Sequence, residues 1–161
     1  SLVMKELVDL LEDLGCDNVK TYIQSGNAVF GSASSAGRLR EEIAAEIVRR
    51  RGFEPHVLIL KKSEVERAID NNPFPESDPK GLHLGFLDST PLTPDLDKLE
   101  ALRAPSERFA LIGRVFYLLA PDGVGRSKLA AKSEKALGVP MTDRNWKTVS
   151  KIMSMLQGQN E

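Results

Sequence analysis

The stretch RFALIGRVFYLLA, Arg108 to Ala120, holds two apolar runs broken by Gly113-Arg114. It reads as two antiparallel strands folded back on each other around a tight turn. Moving outward on its amino-terminal side, Thr93-Pro94 supplies an N-cap followed by proline at the first helical position. The helix it opens carries Leu96, Leu99 and Leu102. Ahead of that helix, LHLGFL (82–87) reads as a strand. On the carboxyl-terminal side, PDGVGRSKLA (121–130) leads into a helix with Leu129, Ala136 and Leu137, stopped by Gly138. The short segment VPMT (139–142) then precedes a last helix carrying Trp146, Val149, Ile152, Met153 and Leu156. In symbols the order is β-α-β-β-α-β plus a helix, the split β-α-β arrangement called ferredoxin-like.

The first half repeats this order without its opening strand. Leu7, Leu10, Leu11 and Leu14 make a helical stripe that ends at Gly15. VKTYIQ and NAVFG alternate as strands around Ser25-Gly26, and Leu39, Ile43, Ile47 and Val48 mark a long helix ended by Gly52. PHVLIL (55–60) reads as a strand. Ser63 and Glu66 have capping-box spacing at the start of a helix through Val65 and Ile69. NNPFPESDPKG (71–81), rich in proline and turn formers, reads as the linker. The expected fold is therefore α+β, with two ferredoxin-like halves in tandem over residues 1–75 and 76–161. Because the chain opens inside a helix pattern, a further strand is expected upstream.

The totals narrow the function classes. The 161 residues are 41% hydrophobic and 28% charged, a globular composition, with a formal net charge of -1. A protein drawn to nucleic acid or anionic membrane by its overall field carries a basic excess, so such a role is confined here to a local patch. Cys16 is the single cysteine, which leaves no intrachain disulfide. No apolar run approaches the roughly 20 residues that span a bilayer, and the amino terminus does not resemble a signal peptide. The expected location is cytoplasmic.

TYIQSGNAVF, NNPFPE, PDGVGRSKL, EKALGVP and TDRNWKTVSKI follow one another in an order and spacing that resembles the bacterial family known as domain of unknown function 1697. The resemblance extends over essentially the whole chain. It implies the family's mixed fold, but no activity, because none is attached to the family. Members of that family begin with a strand and a turn of the type Arg-Gly-Ile-Asn-Val-Gly-Gly, a block that this sequence lacks. Its absence agrees with the strand inferred to be missing.

Three places carry candidate chemistry. In the first, Gly123 and Gly125 permit backbone conformations that aim N–H groups into a concavity just before a helix start. Arg126 offers a bidentate cation, Lys128 a mobile point charge, and Ser127 a cap or a ligand hydroxyl. The spacing is neither a Walker A loop nor a dinucleotide fingerprint. An ordinary turn explains the same letters: Asp122-Gly123 bends, Ser127 caps, and the cations are solvated. In the second, Arg144, Asn145 and Lys147 cluster at another expected helix start, with Trp146 on the stripe that faces the core. In the third, Gln24, Ser25 and Asn27 lie at a hairpin tip, and turn chemistry accounts for all but Gln24.

Conventional catalytic and metal patterns are absent. His56 and His83 lie in different halves, and no HExxH, CxxC or GxSxG occurs. No cofactor or metal is indicated. The leading role is binding of an anionic small molecule, a nucleotide or phosphorylated metabolite, by Gly123, Gly125, Arg126, Ser127, Lys128, Arg144, Asn145 and Gln24. Three other roles use the same features: a nucleic-acid-binding module, an enzyme on an anionic substrate, and a protein acting through self-association or partner contact. The nucleic-acid role ranks lower, since the strand signature of RNA-binding sheets is missing and Phe116 and Tyr117, being adjacent, face opposite ways.

Overall fold

The computed structural model describes residues 2–22, 26–75 and 77–158. Packing divides the chain into two compact units, one running to Glu66 and resuming at Lys151, the other comprising Arg67–Ser150. The chain returns to the first unit after Ser150, a crossing that no division by sequence order alone contains.

In the first unit, helices α1 (Met4–Asp13) and α2 (Ala36–Arg51) bracket a hairpin of β1 (Asp17–Tyr22) and β2 (Asn27–Gly31). Leu10 and Leu11 of α1 join Leu39, Ile43 and Ile47 of α2, with Cys16 between, in one core. The four-residue spacing of the α2 positions lines one face of the helix. Val48 lies beyond that face and is 45% exposed, so it is not part of the stripe in which the sequence places it. Ser35 caps α2 by accepting from the Arg38 N–H, and Gly52 ends it with a left-handed φ of 75°.

The strand expected at PHVLIL is not present as a ladder: residues 54–60 pair with no strand among the described residues. Val57 and Ile59 instead pack against the core of the unit. Alternation reports one-sided burial, and here side-chain packing alone provides it. Helix α3 (Lys62–Asp70) starts ahead of the Ser63–Glu66 pair, since the Glu64 carboxylate accepts from the Lys61 N–H at 2.9 Å and Ser63 falls inside the first turn.

The second unit holds β3 (Leu82–Leu87), α4 (Leu96–Leu102), β4 (Arg108–Ile112), β5 (Val115–Leu119), α5 (Lys128–Leu137) and β6 (Met141–Asn145). The sheet order is β4-β5-β3-β6, antiparallel at every seam. Successive residues alternate between its faces. Leu87, Phe116 and Leu118 look toward Leu99 of α4 and Leu129, Ala136 and Leu137 of α5. The rings of Phe109 and Phe116 are tilted against each other on this face, 5.8 Å apart. On the opposite face, Leu82, Leu84, Tyr117 and Leu119 are also buried. There the Tyr117 hydroxyl donates to the Ala68 carbonyl oxygen.

Three further expectations are corrected in this unit. Asp95, rather than Thr93, caps α4 by accepting from the Lys98 N–H, which leaves Leu96 41% exposed and only Leu99 fully inside. Within the segment expected to be a linker, Phe74 is buried, and the Arg108 guanidinium lies 4.7 Å from its ring centre. Finally, the last helix, α6 (Trp146–Gly158), begins later than its expected start, because β6 extends through Asn145. Among the described residues, no helix is long and apolar enough to cross a membrane.

Candidate anion-binding site

The register of the four-stranded sheet fixes which loops meet. Leu82 faces Leu119, while His83 faces Leu118 on one side and Asn145 on the other. The carboxyl ends of β5 and β6 therefore flank the beginning of β3 at one end of the sheet. Leu118 and Asn145 stand two strand spacings apart, roughly 10 Å. The connection from β5 to α5, residues 120–127, and the junction of β6 with α6 both emerge there.

Within that connection, Gly123 holds a φ of 98° and its N–H closes the bend onto the Ala120 carbonyl at 2.9 Å. This conformation favours glycine. Around Gly125 a Cβ would meet nothing, and its φ is not positive, so the turn does not require a glycine there. One 3₁₀ turn, Val124–Arg126, then delivers the chain to α5. Ser127 is buried, and its hydroxyl accepts from the Ala130 N–H at 2.9 Å. That oxygen is the N-cap of α5. Arg126 and Lys128 on either side are exposed and form no ion pair among the described residues.

Arg144 and Asn145 are strand residues, not the first turn of a helix, and being successive they leave β6 on opposite faces. Asn145 is exposed, and its side-chain oxygen Oδ1 accepts from the Thr148 N–H at 2.9 Å, which makes it the cap of α6. It shares a face with Leu118, the face that α5 covers. Arg144 belongs to the other face beside Leu84, half-buried, with a pKa lowered by desolvation. One of its guanidinium nitrogens, Nη1, donates to the Asp143 carbonyl oxygen at 2.8 Å. The fold thus gathers Gly123–Lys128 and Asn145 at one sheet end and on one side, and directs Arg144 to the other side. Gln24 and Ser25 lie outside the described residues. The neighbouring Asn27 is buried, and its side-chain amide donates to the Tyr22 carbonyl at 3.3 Å.

Three residues the sequence did not single out for this site stand at the same end. His83 Nδ1 lies 2.8 Å from an Asp143 carboxylate oxygen; the His83 side chain is 15% exposed. Sixty positions separate them, so only the strand register unites them. Exposed Lys80 is the third, and exposed Lys147 lies one residue into α6. The carboxylates around them are engaged internally. Asp78 accepts from the Lys80 N–H, Asp122 from the Ser106 hydroxyl, and buried Glu107 from the Ala104 N–H, while Asp143 pairs with His83. Lys80, Arg126, Lys128 and Lys147 have no such partner among the described residues. Four cations thus stand among four carboxylates, and what sets Lys80, Arg126, Lys128 and Lys147 apart is that none is held in an ion pair among the described residues.

Elsewhere the chemistry is structural. Cys16 packs in the first unit's core, where burial raises its thiol pKa. No group of three or more His, Cys, Asp or Glu able to hold a metal occurs among the described residues. Phe116 and Tyr117 are 1% and 0% exposed, so neither offers a surface on which a base could stack.

A family model described as "Protein of unknown function (DUF1697)" matches residues 1–117. The chain belongs to this family. The DUF1697 match includes the blocks TYIQSGNAVF and NNPFPE but stops ahead of PDGVGRSKL, so the candidate loop lies beyond it. A structural likeness extends further. The structure of the conserved bacterial protein SP0830 from Streptococcus pneumoniae superposes with a TM-score of 0.71 at 26% identity, covering 97% of this chain and 89% of that one. No curated protein matches the sequence.

Proposed function

We propose that this DUF1697 member binds an anionic small molecule, a nucleotide or phosphorylated metabolite, at the end of the second unit's sheet where β5 and β6 terminate. One observation carries the reading. The acids at this end are committed to internal partners, whereas Lys80, Arg126, Lys128 and Lys147 are exposed and unpaired among the described residues. A hydrogen bond from a neutral donor leaves a carboxylate its charge but turns it toward that donor, so the four cationic side chains stay free to close on an external anion. The ten-residue helix α5 adds a weaker favourable field at its start. Of the residues expected for the site, Arg126 and Lys128 supply charge, Gly123 the bend, Ser127 the cap that holds the loop, and Asn145 a side-chain amide. Arg144 has no part in this version.

The same reading takes the second unit as a ferredoxin-like half, supported by its β-α-β-β-α-β order and its strand order of β4-β5-β3-β6. The α-β-β-α order of the first unit fits a shorter companion half. The test is a thermal-shift screen with nucleotides, sugar phosphates, polyanions and oligonucleotides, repeated on Arg126→Ala and Lys128→Ala. A ligand at about 100 times its Kd stabilises by roughly 2.7 kcal/mol. A shift lost in both variants supports the site; a shift unchanged in both removes it.

A further inference from the structure

Strand β3 sets Leu87, Gly85 and His83 in turn on the face that α4 and α5 cover. Leu87 belongs to the core, and the Met141 thioether fills the space over Gly85. His83 is thus the last side chain of this row. Gly81 beyond it has none and lies against the backbone of Ala120 and Pro121, where the connection from β5 to α5 begins. The cross-strand neighbours of His83 are Leu118 and Asn145. Leu118 packs in one cluster with Val124 of that connection and with Leu129 and Ala130 of the first turn of α5. An ionisable ring therefore stands where the candidate anion site meets the sheet.

The Asp143 carboxylate takes one edge of that ring, 2.8 Å from Nδ1. An ionised carboxylate only accepts, so the neutral ring keeps its proton on Nδ1 and a lone pair on Nε2. Nε2 itself bonds to no described residue and is not sealed from solvent. Protonation changes two things at once. Nε2 becomes an N–H donor, and the His83–Asp143 pair goes from one negative charge to none. Both changes favour an anion. The other charged groups at this end are Arg126 and Lys128 at the start of α5, Lys147 at that of α6, Asp122 in the connection, and Asp78 and Lys80 ahead of β3. Leu118 on β5, Leu99 on α4 and the inward-facing Leu129 and Ser133 of α5 bring no charge. Imidazole is the side chain whose charge ordinarily changes between about pH 5 and 8.

We infer that His83 is a proton-operated contact of this site. Its imidazolium, backed by Asp143, donates Nε2–H to a bound tetrahedral oxyanion, and the neutral ring withdraws that donor. The inference rests on the anion site proposed above and adds its regulation, with tighter binding in acid.

Inorganic sulfate is the probe, because it keeps its double charge throughout this range and any change with pH belongs to the protein. NMR titrations of the full chain at constant ionic strength, at about pH 5.5 and about pH 8, give the affinity on either side of the ordinary imidazole midpoint. The wild type should bind sulfate about tenfold tighter at the lower pH, the worth of one hydrogen bond to a charged group. His83→Gln should bind equally at both, since its amide donates at either. His56→Gln, which removes the chain's other histidine, should keep the wild-type difference. Equal wild-type affinities at the two pH values overturn the inference, whether or not the His83 variant folds. If Arg126→Ala still weakens that pH-independent binding, the anion site stands without His83. No sulfate binding at either pH removes both.

Discussion

The Tyr117 hydroxyl donates to the Ala68 carbonyl oxygen at 2.5 Å, with Tyr117 itself 0% exposed. The bond ties β5 to the last turns of α3. Burial raises the phenol from its ordinary value of 10.0 to about 12. A raised pKa in the folded state means that stability is intact below pH 10 and is lost as pH climbs through 12. Tyr117→Phe should therefore cost about 1–2 kcal/mol at neutral pH through the lost hydrogen bond. It should also flatten the alkaline arm of the stability curve. Urea unfolding at neutral pH and between pH 10 and 12 measures both effects.

Ser127→Ala and Arg126→Ala separate the two roles of one loop. Ser127 is the buried cap, so its removal should lower stability by about 1 kcal/mol. Arg126 is exposed and unpaired among the described residues, and its removal should leave the melting temperature unchanged while abolishing an anion-induced shift. A differential-scanning comparison of both variants, with and without the best phosphate-bearing hit, reads out each effect.

Gly81, just ahead of β3, and Gly85 within it should respond unequally to alanine. A Cβ on Gly81 would stand 2.5 Å from the Ala120 carbonyl oxygen, a backbone atom held in place by the Gly123 N–H. At Gly85 the obstacle is the Met141 thioether, which has other rotamers available. Gly81→Ala should lose more stability than Gly85→Ala, by roughly 1–3 kcal/mol, the usual range for overpacking. Chemical denaturation of the pair checks the order.

Leu99 is the one fully buried leucine of α4, where it meets the sheet core. Leu99→Ala should cost about 2–5 kcal/mol. Leu96→Ala, one turn earlier and outward-facing, should cost less than about 0.5 kcal/mol. Unfolding midpoints of the two variants test whether the helix presents this face.

The residues that spoke clearly in the sequence were those whose local pattern and tertiary role coincide. Leu39, Ile43 and Ile47 repeat at helical spacing and are buried, and the turn at Gly113-Arg114 pairs its two flanking runs as read. Where a local pattern had two physical solutions, the sequence did not choose between them. Val57 and Ile59 alternate like a strand yet meet the core without a ladder. TDRNW holds good helix-start residues, but β3 recruits Thr142 to Asn145 into its ladder first, and the helix begins one residue later. That choice moved Arg144 to the far face. The partnership of His83 with Asp143 could not be read at all, because it exists only once two distant strands are aligned.

Strand β3 has neighbours along both edges, β5 on one and β6 on the other, and five of its six residues are buried. Its amide hydrogens have no route to solvent through fraying, which is open to β4 and β6 at the margins. Deuterium should enter Leu82–Leu87 last, and only at the rate at which the whole unit opens. The exchange time of these few amides is thus a direct clock for the survival of the fold.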